Sequence, residues 1–159
     1  MRTVLLAVIP LFGALIGYLI SFKYVLPREF FDGFYCLNKK IKTEIEFTKK
    51  TIPEILQEKA ENDNKNSFVK ALELYMFREN KSDNLSSLGF LTKKERDFFE
   101  RYADNLGSSD ATTQLAYLNS IEQELTGYYA FHNERSKKYR PLFIKLGFLF
   151  GLIVFILLV

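Results

Sequence analysis

The chain has 159 residues, 48% of them apolar, with a net charge of +3, one histidine, one cysteine and no tryptophan. One histidine and one cysteine leave no Ser/His/Asp arrangement to defend, and there is no paired-cysteine metal spacing and no glycine-rich phosphate loop. The pattern argues against an enzyme, a metal centre or a bound cofactor; the small basic excess gathers beside two apolar segments, so no nucleic acid is needed to explain it.

The first apolar segment, VLLAVIPLFGALIGYLISF from Val4 to Phe22, carries no charge. As a helix it is about 28 Å long, close to a hydrocarbon core of about 30 Å. A cleaved signal peptide is the competing reading. It requires a basic leading region and a small-residue cleavage site, whereas Arg2 is the only early charge and SFKYVLP offers no such site. Residues 1–25 are therefore expected to form a transmembrane helix, with Pro27 breaking the chain after it.

Residues 26–141 read as a helical bundle. Phe30, Phe34, Leu37, Ile41, Ile45 and Thr48 recur at three- and four-residue steps, one face of an amphipathic helix, with Lys39, Lys40, Lys42 and Glu46 off that face. In TIPE, Thr51 and Glu54 form a capping-box pattern with Pro53 in the first turn, and Ile55, Leu56 and Ala60 give the apolar side. Glu61–Asn66 is polar and turn-like. Phe68, Ala71, Leu72, Tyr75 and Met76 mark a further helix, followed by a polar connection from Arg78. TKKE repeats the capping box with Thr92 and Glu95, and Phe98, Phe99, Tyr102 and Leu106 follow. Gly107 stands where a left-handed C-cap belongs. Glu95, Glu100 and Asp104 read as a solvated face rather than an acid–base pair.

Asp110, or a serine before it, is expected to cap a long helix whose buried face runs through Leu115, Leu118, Ile121 or Glu122, Leu125, Tyr129 and His132. His132 reads as a packed helix residue, not a ligand. Up to Pro141 this helix would be about 45 Å long, more than a globule of this size covers. Its basic C-terminal half is expected to be a stalk towards a bilayer, with a kink or break at Pro141. No strand alternation is present. The expected fold class is all-α, a cytoplasmic bundle of about five to six helices, partly coiled-coil-like, between two transmembrane helices.

The second span covers residues 142–159. From Leu146 to Val159 every residue is Leu, Ile, Val or Phe except two glycines, which favours insertion by about 4–7 kcal/mol. Lys145 lies about one turn inside and is expected to snorkel to the headgroups. Both spans carry a small-xxx-small step: Gly13 with Gly17, and Gly147 with Gly151. Glycines four apart bare one helix face and let another backbone approach. The two faces either pair within one chain or meet spans of other subunits. Lys23 and Arg28 follow the first span, and Arg135, Lys137, Lys138, Arg140 and Lys145 precede or begin the second. The positive-inside rule then puts the middle in the cytoplasm and both termini on the opposite side. These basic residues also suit contact with membrane lipids.

LGFLTKKERDFFERYADNLGSSDATTQLAYLNSIEQEL, then KKYRPLFIKLGFLFGLIVFILL, resembles the stage III sporulation protein AB family of endospore-forming bacteria. The pattern is a helix ending in Leu106 and Gly107, a restart at Ser109 and Asp110, then Gln114, a leucine-spaced helix, and a tail with Leu146, Gly147 and Gly151. Glu44, Ile45, Phe47 and Pro53 match more loosely. The segment from about Glu58 to Leu85 departs from the pattern and is short.

The resemblance implies a non-enzymatic subunit of a channel or secretion-like complex between mother cell and forespore, in the mother-cell membrane around the forespore. It implies a soluble domain similar to the cytoplasmic domain of type II secretion and type IV pilus platform proteins. Its expected partners are other subunits of that complex, including a cytoplasmic secretion-type ATPase; a homo-oligomer also fits. The alternative is a small membrane-anchored sensor or regulator with a helical ligand- or protein-binding domain.

Overall fold

The computed structural model describes residues 8–47, 52–56, 67–77 and 88–158. The Thr51 cap, the Glu61–Asn66 loop and the connection from Arg78 lie outside the described residues. Among the described residues five helices follow in order: α1 (Val8–Phe47), α2 (described over 52–56), α3 (Ser67–Phe77), α4 (Lys93–Asn105) and α5 (Ala111–Leu158). No strand occurs among the described residues.

The all-α expectation holds, but its layout is corrected. The apolar spans are not separate helices flanking a bundle. α1 runs 40 residues through Pro27, and α5 runs 48 residues through Pro141, about 60 and 72 Å long. The expected break at Pro27 is therefore absent, and of the kink or break expected at Pro141 the break is absent. Each proline removes one backbone hydrogen bond and crowds the carbonyl four residues back, at a cost of about 3 kcal/mol. That cost is local. The turns on either side carry packed aromatic faces or uninterrupted apolar runs, and these hold the helix on both sides of each proline.

The contacts divide the chain into two compact units. Residues 29–130 form one, built on an aromatic core. Phe30, Phe31, Phe34, Leu37 and Ile41 of α1 are fully buried, with Ile55 of α2, Phe68 and Leu72 of α3, Tyr102 of α4, and Leu118 and Leu125 of α5. Phe34 lies at the centre. Its ring stacks on Phe68 at 4.2 Å and meets Tyr102 edge-on at 4.5 Å. Phe31 stacks on Tyr128 at 5.2 Å and Tyr35 on Tyr129 at 5.4 Å, fastening α1 to α5. Each such ring buries enough apolar area to contribute about 1.5–3 kcal/mol. At the rim, the Lys42 ammonium of α1 pairs with the Glu122 carboxylate of α5. The face expected on α5 is only partly buried: Leu118, Leu125 and His132 are covered, while Leu115, Ile121, Glu122 and Tyr129 are intermediate.

The second unit consists of the described residues up to Arg28 and from Phe131 onward. It is a pair of helical segments, one from α1 and one from α5. The segment from Phe131 to Pro141 is thus not a lone stalk, because it pairs with α1.

Candidate functional site

Two sets of the sequence-predicted residues come together, one in each unit. In the unit of residues 29–130, the α4–α5 corner gathers the family-type residues. Thr92 caps α4: its Oγ1 accepts from the Glu95 N–H at 3.4 Å, and Glu95 Oε2 accepts from the Thr92 N–H at 2.7 Å. This reciprocal box corrects the solvated reading of Glu95, which is buried. Asp104 is also engaged, accepting from the Tyr75 hydroxyl at 3.1 Å.

Leu106, the C-cap that follows α4, is buried, and Gly107 has φ +80. That backbone state costs an L-residue about 1–2 kcal/mol and glycine almost nothing. The Gly107 N–H donates to Gln114 Oε1 at 3.0 Å, and the Ser109 hydroxyl donates to the same oxygen at 3.3 Å. Gln114 is almost fully buried, so one amide oxygen ties the turn to the helix that follows. Asp110 Oδ2 accepts from the N–H groups of Thr112 and Thr113 at 3.2 and 3.3 Å, the expected N-cap. The Thr113 side chain and N–H hold the Asp110 carboxyl below its ordinary range. Leu106, Gly107, Ser109, Asp110 and Gln114 thus form a structural corner. The sequence pattern marked these positions, but not the hydrogen bond that joins Gly107 to Gln114.

The other unit holds the glycines. A Cβ added to Gly13 would overlap the Gly147 carbonyl oxygen and lie 3.1 Å from Gly151 Cα. At Gly17 it would overlap the Phe143 carbonyl oxygen and lie 3.2 Å from Ile144 Cα. At Gly147 it would lie 3.0 Å from Gly17 Cα, and at Gly151 2.6 Å from Pro10 Cα. As one number rises the other falls, so the segments are antiparallel. Of the two arrangements open from sequence, the structure has the glycine faces on each other within one chain. The outward sides are bare: Leu11, Phe12, Phe150 and Leu157 are 60–80% exposed. α1 and α5 are each long and apolar enough to cross a membrane, and only 22% and 6% of their apolar windows are buried. A core helix of a soluble protein would bury most of that surface.

At one end of the pair the apolar surface gives way to rings and cations. Tyr24 of α1 stacks on Tyr139 at 5.1 Å and on Phe143 at 5.5 Å. The Arg135 guanidinium lies 5.1 Å from the Phe131 ring, 5.5 Å from Tyr24 and 5.9 Å from Tyr139. Lys138 lies 5.7 Å from the Tyr139 ring, and Arg140 5.8 Å from Tyr18. Rings at the level where apolar surface ends are the pattern of a membrane interface. Among the described residues, none of Lys23, Arg28, Arg135, Lys137, Lys138, Arg140 or Lys145 has an ion-pair partner. The sequence showed the cations; it did not show that rings from two helices hold Arg135. Ser21, His132 and Ser136 are buried polar residues in the same unit. No cluster that could hold a metal ion occurs among the described residues.

Among the described residues the regular structure is all helical, and two helices of membrane-crossing length pack backbone to backbone at paired glycines, a class of arrangement compatible with a two-span membrane protein. The stage III sporulation protein AB family matches residues 2–159, so the chain belongs to that family and has a role at that stage of sporulation. No curated protein and no solved structure matches it.

Proposed function

We propose that this protein is a non-enzymatic, two-span membrane subunit of the sporulation complex. In this reading residues 29–130 stand in the cytoplasm of the mother cell and couple a secretion-type ATPase to a membrane-embedded assembly. Both termini lie on the opposite side of the membrane that surrounds the forespore. The observation that carries the reading is the antiparallel glycine-packed pair, with bare apolar sides and uncompensated cations gathered at one end. In lipid the hydrophobic drive between helices vanishes and close backbone packing takes its place. A pair so built suits a bilayer, and its charged end suits the cytoplasmic face.

The ATPase reading rests on the likeness between the family's soluble domain and platform proteins, an analogy of fold. The absence of convergent catalytic side chains in the sequence agrees with a scaffold. Neighbouring subunits, or second copies, would meet the outward sides of the helix pair.

The test is topology followed by capture. With Cys36 replaced by serine, single cysteines are placed in the Glu61–Asn66 segment and at the C-terminus. In cells that carry the chain in their outer plasma membrane, a reagent that cannot cross lipid is expected to label the C-terminal cysteine and to spare the middle one until the cells are opened. Capture of the full chain from sporulating cells is then expected to retain an ATPase subunit. Labelling of the middle cysteine in intact cells would refute the orientation; capture without any ATPase would refute the coupling.

A further inference from the structure

We propose that Arg135 and Lys138, seated on the rings of Tyr24 and Tyr139, form a site for the phosphodiester headgroup of an anionic phospholipid. The inference deepens the two-span reading and rests on it. A guanidinium that lies over rings uses its face, and its five N–H donors remain in the plane for an acceptor. Arg135 is exposed and lies within 6 Å of three ring centroids. Among the described residues no carboxylate pairs with it. Lys138, one turn further along α5, adds three donors and is likewise exposed and unpaired. Two fixed cations with open donors call for an anion with several acceptor oxygens, which a phosphodiester supplies.

Location selects the source of that phosphate. The column Tyr139, Tyr24 and Phe143 runs from the cations to the glycine contact, because the Phe143 carbonyl is the atom that faces Gly17. A ligand held at Arg135 therefore lies next to the bare apolar sides of the pair, where acyl chains are stabilised. Free phosphate has nothing to place there, and an acidic polypeptide would gain nothing from it. The site also draws on both helices, with Tyr24 from α1 and the remainder from α5. It exists only when the pair is formed, so a bound headgroup would stabilise the paired state by mass action.

The full-length protein, placed in discs of phosphatidylcholine containing a minority of phosphatidylglycerol, tests this. The lipid retained after extraction into neutral detergent is quantified per protein. The wild type is expected to retain phosphatidylglycerol above its bulk share. Arg135→Gln and Lys138→Gln should each lower that enrichment about fivefold or return it to the bulk ratio. Arg135→Lys, which keeps the charge and loses the ring-seated fork, should fall between, and this charge-conserving variant remains informative if a neutral one fails to fold. Added inorganic phosphate at matched concentration should not displace the lipid. Equal enrichment in all variants, or displacement by inorganic phosphate, would overturn the site. So would an acidic polypeptide whose binding is lost with the same variants while the lipid ratio stays constant. Recovery of the protein in the aqueous fraction without detergent would overturn the two-span reading and the site together, whereas membrane retention with unselective lipid overturns the site alone.

Discussion

Gly147→Leu is the perturbation that probes the helix pair most directly. A Cβ at position 147 overlaps the Gly13 carbonyl oxygen and lies 3.0 Å from Gly17 Cα. Both opposing atoms are backbone, so no side chain can swing away, and the helices must part by about 1 Å or more. A radial gap of that size forfeits up to half of each dispersion contact along the seam. Together with the overpacking itself, this should cost about 3 kcal/mol, at the upper end of what small-to-large changes cost. That is roughly a hundredfold loss in the ratio of paired to unpaired helices. The assay is a flexible bismaleimide bridging Tyr24→Cys and Tyr139→Cys, whose parent rings stack at 5.1 Å, in a Cys36→Ser background and in lipid discs. The parent should cross-link within one chain. Gly147→Leu should not, while far-ultraviolet circular dichroism shows the aromatic-cored unit still helical. Equal cross-linking yields in parent and variant would refute the reasoning, because the glycine contact would then not hold the pair.

Gly127→Ala should act in the opposite direction. It lies inside α5 with nothing within 4 Å of an added Cβ, so it should gain about 0.5–1 kcal/mol in thermal unfolding of the detergent-solubilised chain. Gly107→Ala should cost about 1–2 kcal/mol from its backbone angle alone, measured by the same unfolding. Gln114→Ala should cost about 1–3 kcal/mol, since it leaves the Gly107 N–H without its acceptor; unfolding at parental temperature would show that the corner is held some other way. The Asp110 cap should also respond to pH. Its folded carboxyl titrates below its ordinary value, so its contribution is fully present above about pH 4 and is lost as pH falls through the folded value. Asp110→Asn should flatten that acid limb of the stability curve.

Local signals in the chain were legible where the physics is local. The Thr92–Glu95 box, the left-handed Gly107 and the Asp110 cap each depend on a few neighbouring atoms, and each is found where the residues place it. The spacing of Phe30, Phe34, Leu37 and Ile41 gave the face that is now buried. Pro27 and Pro141 mislead because each carries a local penalty that the packing on either side outweighs. Read alone, that penalty gives the bundle its own first and last helices, whereas α1 and α5 continue into the apolar segments. Glu95 misled differently: its charge suggested solvent, but its role in the cap buries it. What could not be read was anything set by two distant segments. The partner of the glycine faces, the Gln114 bond to Gly107 and the rings around Arg135 all require the fold to be in place.

The seam between α1 and α5 is specified by four positions that present no side chain to each other. Neighbouring sites such as Leu11, Phe12 and Ile153 stay largely uncovered. Greasy side chains should therefore interchange freely along most of both hydrophobic stretches, while a single methyl is refused at four sites. Homologues should accordingly diverge widely over these stretches yet preserve the two glycine doublets, making absence of bulk the most heritable trait of this end of the molecule.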